Sequence, residues 1–231
     1  MHRRLRLLAL LGAVAVPLGG CVDTGAGIAM SGVVPPNAEC FYTLQDDAIQ
    51  LSGLLDLNAS DGYFMAARIE NQMLNVGASG VMGVPRADVS SGVIDEAQVR
   101  FLDPLFEPVI SRFRVPASGF IPSGEDEPGE GIASAIVIPT AVFGELRDEL
   151  IIDRNFTTVI LDLRFSGRTL GRERVTAPEY FFRVELCEGC LQITPPPRDP
   201  DTMDPICVIP CQFGQDEPFT TFTASECASG S

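Results

Sequence analysis

The cysteines are the residues of this chain whose spacing points most directly to chemistry. Cys187 and Cys190 form a Cys-x-x-Cys pair, and sixteen residues separate this pair from a wider one, Cys207 and Cys211. The spacing is close to that of a four-cysteine zinc site, and Cys-x-x-Cys steps also occur at redox-active centres. A set of structural disulfides is the third interpretation, and the compartment of the protein decides among the three.

Composition excludes several other kinds of chemistry. All 16 basic residues are arginine, and the single histidine, His2, lies in the leader described below. Beyond that leader the chain has no histidine base, no lysine for a Schiff base or a phosphate loop, and no histidine metal ligand. Acidic residues are plentiful, but no pair of them stands out as catalytic, and tryptophan is absent. We therefore predict a non-enzymatic protein with no catalytic residues, no metal and no cofactor.

The first 20 residues have the organisation of an export signal. Arg3, Arg4 and Arg6 precede an apolar run over residues 7–18. The run is shorter than the roughly 20 residues that a membrane-spanning helix needs, but it fits the apolar region of a signal peptide. The sequence therefore predicts a protein that leaves the cytoplasm.

The end of this leader, Leu18-Gly19-Gly20-Cys21, resembles the lipobox of bacterial lipoproteins. The resemblance implies removal of residues 1–20 and lipidation of Cys21, with enough acyl chains for stable anchoring. Val22 is not the aspartate that signals retention in the inner membrane, so the resemblance implies the outer membrane. Ordinary secretion, with cleavage after Ala15 and an unmodified Cys21, is the alternative.

The segment after the leader and the overall charge bear on partners. Residues 21–39 are rich in small residues and lack periodicity, which predicts a flexible tether. Without the leader the chain has 13 basic and 31 acidic residues, a formal charge of −18. This balance argues against nucleic acid or an anionic lipid surface as a partner of the folded part. We expect attachment to the membrane through the N-terminal lipid, and an unknown envelope protein or ligand as partner.

Export to an oxidising compartment favours disulfides over zinc or redox chemistry for the remaining cysteines. Six cysteines allow 15 connectivities. A direct Cys187–Cys190 bond closes a very small ring, so we expect these two to pair with Cys207 and Cys211, and Cys40 with Cys227. The residues predicted to form disulfides are Cys40, Cys187, Cys190, Cys207, Cys211 and Cys227.

Residues 40–190 are predicted to form an all-β domain, an antiparallel β-sandwich of the immunoglobulin or fibronectin-III type with one short helix. The helix is indicated by Val142, Leu146 and Leu150, which recur at every fourth position. Turn signals lie at residues 60–62, 123–131 and 166–167. Alternating or continuous apolar patterns predict strands at residues 49–57, 63–69, 93–102, 132–138, 157–165 and 180–186.

Within this domain, the order of several short segments resembles the late-embryogenesis-abundant type 2 (WHy) domain. That family is a fibronectin-III-like sandwich with one helix, and the resemblance over residues 50–186 implies the same fold here. Asn71-Gln72 stands where the family favours an Asn-Pro step. The segments are Ala67-Arg68-Ile69-Glu70-Asn71, Phe113-Arg114-Val115-Pro116-Ala117-Ser118-Gly119, Ile136-Val137-Ile138-Pro139 and Leu163-Arg164-Phe165-Ser166-Gly167.

The acidic loops and the C-terminal region complete the prediction. The loop from Asp56 to Gly62 places oxygen side chains at alternate positions, but its glycine comes late and Ala67 falls where an EF-hand needs a ligand. Two further oxygen-rich loops, residues 125–127 and 199–201, leave a calcium-dependent ligand-binding or adhesion domain as the alternative function. Residues 191–231 are predicted to be a Pro/Cys-rich extension linked by disulfides. The favoured function is a lipid-anchored structural or binding module of the cell envelope.

Overall fold

The computed structural model describes residues 27–37, 39–44, 48–73, 89–124, 127–149, 156–193, 211–212, 214–217 and 219–220. Strands dominate, which confirms the all-β class. One short helix is present, and the described helical segments include none that is long and apolar enough to cross a membrane. The elements are β1 (Ile28–Val33), β2 (Ser52–Asp56), β3 (Gly62–Asn71), β4 (Gly92–Leu102), β5 (Pro108–Ile121), β6 (Gly129–Pro139), a 3-10 turn (Thr140–Val142), α1 (Phe143–Glu149), β7 (Phe156–Thr169), β8 (Arg174–Thr176), β9 (Tyr180–Cys187), β10 (Gln192–Ile193) and β11 (Phe219–Thr220).

Nine strands form one mixed sheet in the order β1, β3, β6, β5, β4, β7, β9, β2, with β8 paired to β7. All neighbours are antiparallel except β2 and β9, which run parallel. The prediction of a purely antiparallel arrangement is therefore wrong at this edge. The short strands β10 and β11 form a separate parallel pair.

The sheet curls into a half-barrel. Its two ends approach each other, because Val33 at the end of β1 bridges Gln50, which lies just before β2. Across the interior, the Tyr63 ring on β3 contacts the Phe182 ring on β9, with centroids 6.2 Å apart. The Tyr63 hydroxyl lies directly over Gly53 on β2, at a place where a Cβ atom has no room. Strands distant in the sheet order therefore share one core.

The core fills the concave side of the curl. Side chains that alternate along β7 and β9, such as Leu161, Leu163 and Phe165, are fully buried there, as the period-two pattern predicted. The helix α1 adds Phe143 and Leu146 to the same cluster. Other large side chains that are almost completely inaccessible are Tyr63, Met65, Ile69, Ile94, Phe101, Ile121, Ile138 and Phe182.

The positions of two strands differ from the sequence-based prediction. β1 lies inside the predicted tether, where Ile28 is fully buried and pairs with Asn71 of β3, so the folded domain begins before Cys40. β5 was not among the predicted strands, although at 14 residues it is as long as β7. The turn expected at Ser166-Gly167 is also wrong, because both residues continue β7 and the chain reverses after Thr169.

The C-terminal residues 214–217 close the curled sheet. Gln215 forms a bridge with Leu55 at the free edge of β2. Its side-chain amide bonds both the backbone N–H and the carbonyl of Phe64 on β3, at 2.8 and 2.6 Å. The Asp216 carboxylate accepts hydrogen bonds from the Leu54 backbone and from the Tyr63 hydroxyl. These four residues therefore connect the two sides of the opening.

Candidate functional site

Four of the predicted disulfide cysteines lie in the described part of the chain, and all four are bonded. Cys40 pairs with Cys211, across 171 residues, and Cys187 pairs with Cys190. Disulfide formation is thus confirmed for these residues, but the expected connectivity is wrong. Gly189 has a φ of +74° and reverses the chain after β9, which brings the Cα atoms of Cys187 and Cys190 to 5.9 Å. This separation is ordinary for a disulfide, so the small ring is no obstacle.

Cys40 meets Cys211 rather than Cys227 because Cys211 immediately precedes the segment that docks on β2. The turn that presents Cys40 is held by Asn37, whose side-chain oxygen accepts the backbone N–H groups of Glu39 and Phe41. Cys21, Cys207 and Cys227, and with them the leader, lie outside the described residues.

The loop from Asp56 to Gly62 is a turn between β2 and β3. Asp56 is fully buried, and its carboxylate accepts backbone N–H groups of Asn58, Gly189 and Leu191. The Ser60 hydroxyl bonds the Gly62 backbone. These oxygens are therefore engaged in holding the chain. Of the other two acidic loops, only Glu127 lies in the described part of the chain, and it is exposed.

The convex side of the central strands carries a concentration of arginines that sequence reasoning missed. We call it the arginine face. Several positions of β4, β5 and β7 on the side opposite the core carry guanidinium or carboxylate groups, because this side of the strands faces solvent. Its arginines are Arg100, Arg112, Arg114, Arg164 and Arg168, with Arg174 on the adjoining β8.

One end of the arginine face is organised around Asp162. Its carboxylate is fully inaccessible, and its Oδ2 atom lies 2.6 Å from a guanidinium nitrogen of both Arg100 and Arg112. Arg112 also contacts Glu179, which is paired with Arg164. The hydrogen bond from Arg164 is the largest cause that lowers the pKa of Glu179 below its ordinary value. This end of the face is a closed ion-pair network in which each acid has a partner.

The other end of the arginine face is an open groove of about 360 Å³. Arg168 on β7 and Arg174 on β8 lie directly opposite each other in the strand register. Like charges at opposed positions destabilise a strand pair. No carboxylate of the described residues forms an ion pair with either arginine, although Arg114 pairs with Glu96 at 3.4 Å. The residues that line the groove are Asp95, Glu96, Arg114, Ser166, Gly167, Arg168 and Arg174.

A second cavity, of about 230 Å³, lies beside the C-terminal residues 214–217 and is lined in part by Val33, Tyr42 and Phe64. Its polar groups Gln215 and Asp216 already bond the backbone of β2 and β3. Burial, and then the nearby Asp216 carboxylate, raise the pKa of Tyr63, so its hydroxyl stays a hydrogen-bond donor. This region closes the fold, and the groove is the candidate binding site.

No protein-family model matches the chain, and no curated protein or solved structure is significantly similar to it. The described residues form a curled all-β domain with a cross-linked C-terminal region and an arginine-lined groove on its convex side.

Proposed function

We propose that this protein is a lipid-anchored, non-enzymatic binding module of the bacterial cell envelope. The lipobox-like step at Cys21 supports the anchor, and Val22, which is not the aspartate that signals inner-membrane retention, supports the outer membrane. The disulfides fit an oxidising compartment, because such bonds persist outside the cytoplasm. Only six residues separate Cys21 from the start of β1 at Ile28, so the domain lies close to the membrane surface in this arrangement.

The binding site of this module is the arginine groove, and its ligand is a compact oxyanion such as a carboxylate or a phosphate group. The observation that carries this proposal is the opposed pair Arg168 and Arg174, which has no described carboxylate partner. Two guanidinium groups can each donate paired hydrogen bonds to one oxyanion. The Ser166 hydroxyl lines the same groove and adds a neutral donor.

The overall charge limits the size of this ligand. Without the leader the chain has a formal charge of −18, so a long polyanion is repelled by the protein outside the groove. A single oxyanion on a small molecule meets mainly the local field of the guanidinium groups. Asp95 and Glu96 at the groove wall restrict the ligand further. Their carboxylates repel a ligand that carries several adjacent negative charges.

A further proposal concerns the fold of the domain. We propose that the curled sheet is a variant of a fibronectin-III-like sandwich, as the late-embryogenesis-abundant resemblance implies. The contact between Tyr63 and Phe182 supports this, because it joins the two halves of one sheet as facing layers do.

The anchor is tested by intact mass spectrometry of the protein purified from a bacterial membrane fraction. We expect a chain that starts at Cys21 and carries the added mass of diacylglycerol and a further acyl chain. The matched control, Cys21→Ser, removes only the acceptor sulfur, and we expect no acyl mass on this variant. An unmodified wild-type N-terminus at Val16 contradicts the proposal.

The groove is tested by titrating the domain with inorganic phosphate and with acetate at constant ionic strength. We expect saturable shifts of the Ser166 and Gly167 amide signals in an NMR spectrum. The double variant Arg168→Gln, Arg174→Gln should weaken binding at least tenfold, since it removes both donors. Arg183→Gln is the matched control, because this arginine pairs with Glu185 on β9 away from the groove. Equal weakening by the control, or no saturation, contradicts the proposal.

A further inference from the structure

We propose that Cys187 and Cys190 form a dithiol–disulfide exchange site, in which Cys190 is attacked by a thiolate of a dithiol partner and Cys187 is the leaving group. The two sulfurs sit at one end of the sheet, where β9 ends and the chain turns back. This site is distinct from the arginine groove, and its test is independent of anion binding.

The two cysteines differ in accessibility. Cys187 is the last residue of β9 and is fully buried, whereas Cys190 lies after the turn and is only partly buried. An incoming thiolate approaches a disulfide sulfur in line with the S–S bond, so the accessible sulfur is the one attacked. The burial pattern thus assigns Cys190 as the exchange sulfur and Cys187 as the released one.

The turn does not depend on the S–S bond for its conformation. Asp56 accepts the N–H groups of Gly189 and Leu191, which flank Cys190, at 2.8 and 3.2 Å. The Cys187 carbonyl accepts the Leu57 N–H, and Cys187 is paired in register with Asp56 of β2 and with Phe156 of β7. Reduction therefore leaves the surrounding backbone in place, which a reversible site requires.

The charge of Glu188 next to the turn is offset in the structure, and Asp56, the other carboxylate near the two sulfurs, is held by backbone N–H groups. From sequence alone, Glu188 disfavours a nearby thiolate. The structure shows that the Arg147 guanidinium on α1 lies 2.8 Å from the Glu188 carboxylate and also donates to the Leu57 carbonyl. A cation thus stands beside the turn and offsets the charge of Glu188 when Cys190 becomes a thiolate.

The two described disulfides differ in what they contribute to stability. Cys40–Cys211 closes a loop of 171 residues, whereas Cys187–Cys190 encloses two. Loop-closure entropy grows with the length of the closed loop, so the short bridge restricts the unfolded chain much less. Stabilisation of the fold therefore explains the presence of the Cys187–Cys190 bond less well than it explains the presence of the Cys40–Cys211 bond.

The exchange is balanced without a further oxidant. A thiolate of the partner dithiol attacks Cys190 Sγ, the Cys187–Cys190 bond breaks, and Cys187 leaves and takes up a proton. The second thiol of the partner then loses its proton and attacks the mixed disulfide at the partner's own sulfur, which releases Cys190 as a thiolate that takes up the second proton. Two electrons and two protons have passed from the partner dithiol to Cys187 and Cys190, and the partner holds a disulfide.

The first test equilibrates the oxidised mature protein with graded ratios of reduced to oxidised glutathione. Free thiols are trapped with a maleimide and assigned by peptide mass mapping, and the fold is followed by circular dichroism. We expect Cys187 and Cys190 to become labelled together while Cys40–Cys211 stays oxidised and the spectrum is unchanged. Reduction of Cys187–Cys190 only together with Cys40–Cys211, or with loss of the fold, overturns the proposal.

The second test assigns the roles of the two sulfurs with matched single variants. Cys187→Ser leaves Cys190 free, and Cys190→Ser leaves Cys187 free. We expect mixed-disulfide formation with oxidised glutathione at least tenfold faster for Cys190 in the first variant than for Cys187 in the second. Equal rates overturn the proposal. Stoichiometric zinc on the reduced wild-type protein also overturns it, since Asp56, Cys187 and Cys190 place three ligand atoms within 4.8 Å and would then form a metal site.

Discussion

Replacing both Cys40 and Cys211 with alanine is expected to lower the free energy of unfolding by about 5 kcal/mol. The bond closes a loop of 171 residues, so its loss allows the unfolded chain many more conformations. It also frees the segment whose Gln215 and Asp216 connect β2 with β3. The expected loss is a large fraction of the typical stability of a domain.

Urea unfolding at equilibrium, followed by circular dichroism, measures this effect. The matched control is Cys187→Ala with Cys190→Ala, for which the same loop-closure model gives about 2 kcal/mol, because these cysteines are only three positions apart. A loss for the Cys40 and Cys211 variant no larger than that of the control would show that the C-terminal region does not stabilise the domain.

Asp162→Asn is expected to lower the free energy of unfolding by about 3 kcal/mol. Asp162 is fully inaccessible and is the common anion of Arg100 and Arg112. The amide has nearly the same shape but no charge, so two guanidinium groups lose their counterion. Both arginines are about one-third exposed, at 33% and 29%, and water can partly solvate them, which keeps the loss at the lower end of the range for broken buried pairs.

The same unfolding measurement checks this prediction. Asp148→Asn is a suitable control. Asp148 is exposed on α1, so this variant makes the same chemical change outside the ion-pair network around Asp162. A difference below about 0.5 kcal/mol between the two variants would mean that the ion pairs around Asp162 do not contribute to folding. Groove binding should persist in Asp162→Asn, since Arg168 and Arg174 are not its partners.

Strands with a complete period-two pattern were predictable, and those shaped by pairing were not. β7 and β9 bury every second side chain, and their predicted bounds differ from the observed ones by only a few residues. β5 contains Pro116 and Gly119, which normally argue against a strand interior. At Pro116 the pairing is incomplete on both sides. β5 pairs with β6 only over Ala117–Phe120, and the pairing with β4 has a register shift beside Glu96, the partner of Pro116.

The role of Gly167 could not be predicted from local sequence either. Ser166-Gly167 was interpreted as a turn, but a Cβ atom at Gly167 would collide with the Val93 backbone of β4. The glycine therefore allows a close approach between two strands. Only the neighbouring strand distinguishes this role from that of a turn glycine, and the neighbour is distant in sequence.

By itself the sequence determined the all-β class, the buried faces of the regular strands and the formation of disulfides, because these follow from local alternation and from the number of cysteines behind a predicted export signal. The prediction that the leader ends before Cys21 also comes from the sequence alone, because it depends on a few adjacent residues. The tertiary structure decided which cysteines pair and which charged groups meet. Cys40 and Cys211 are 171 residues apart, and Arg100 and Asp162 are brought into register only by the β4–β7 pairing. Such contacts depend on strand order, which no local pattern encodes.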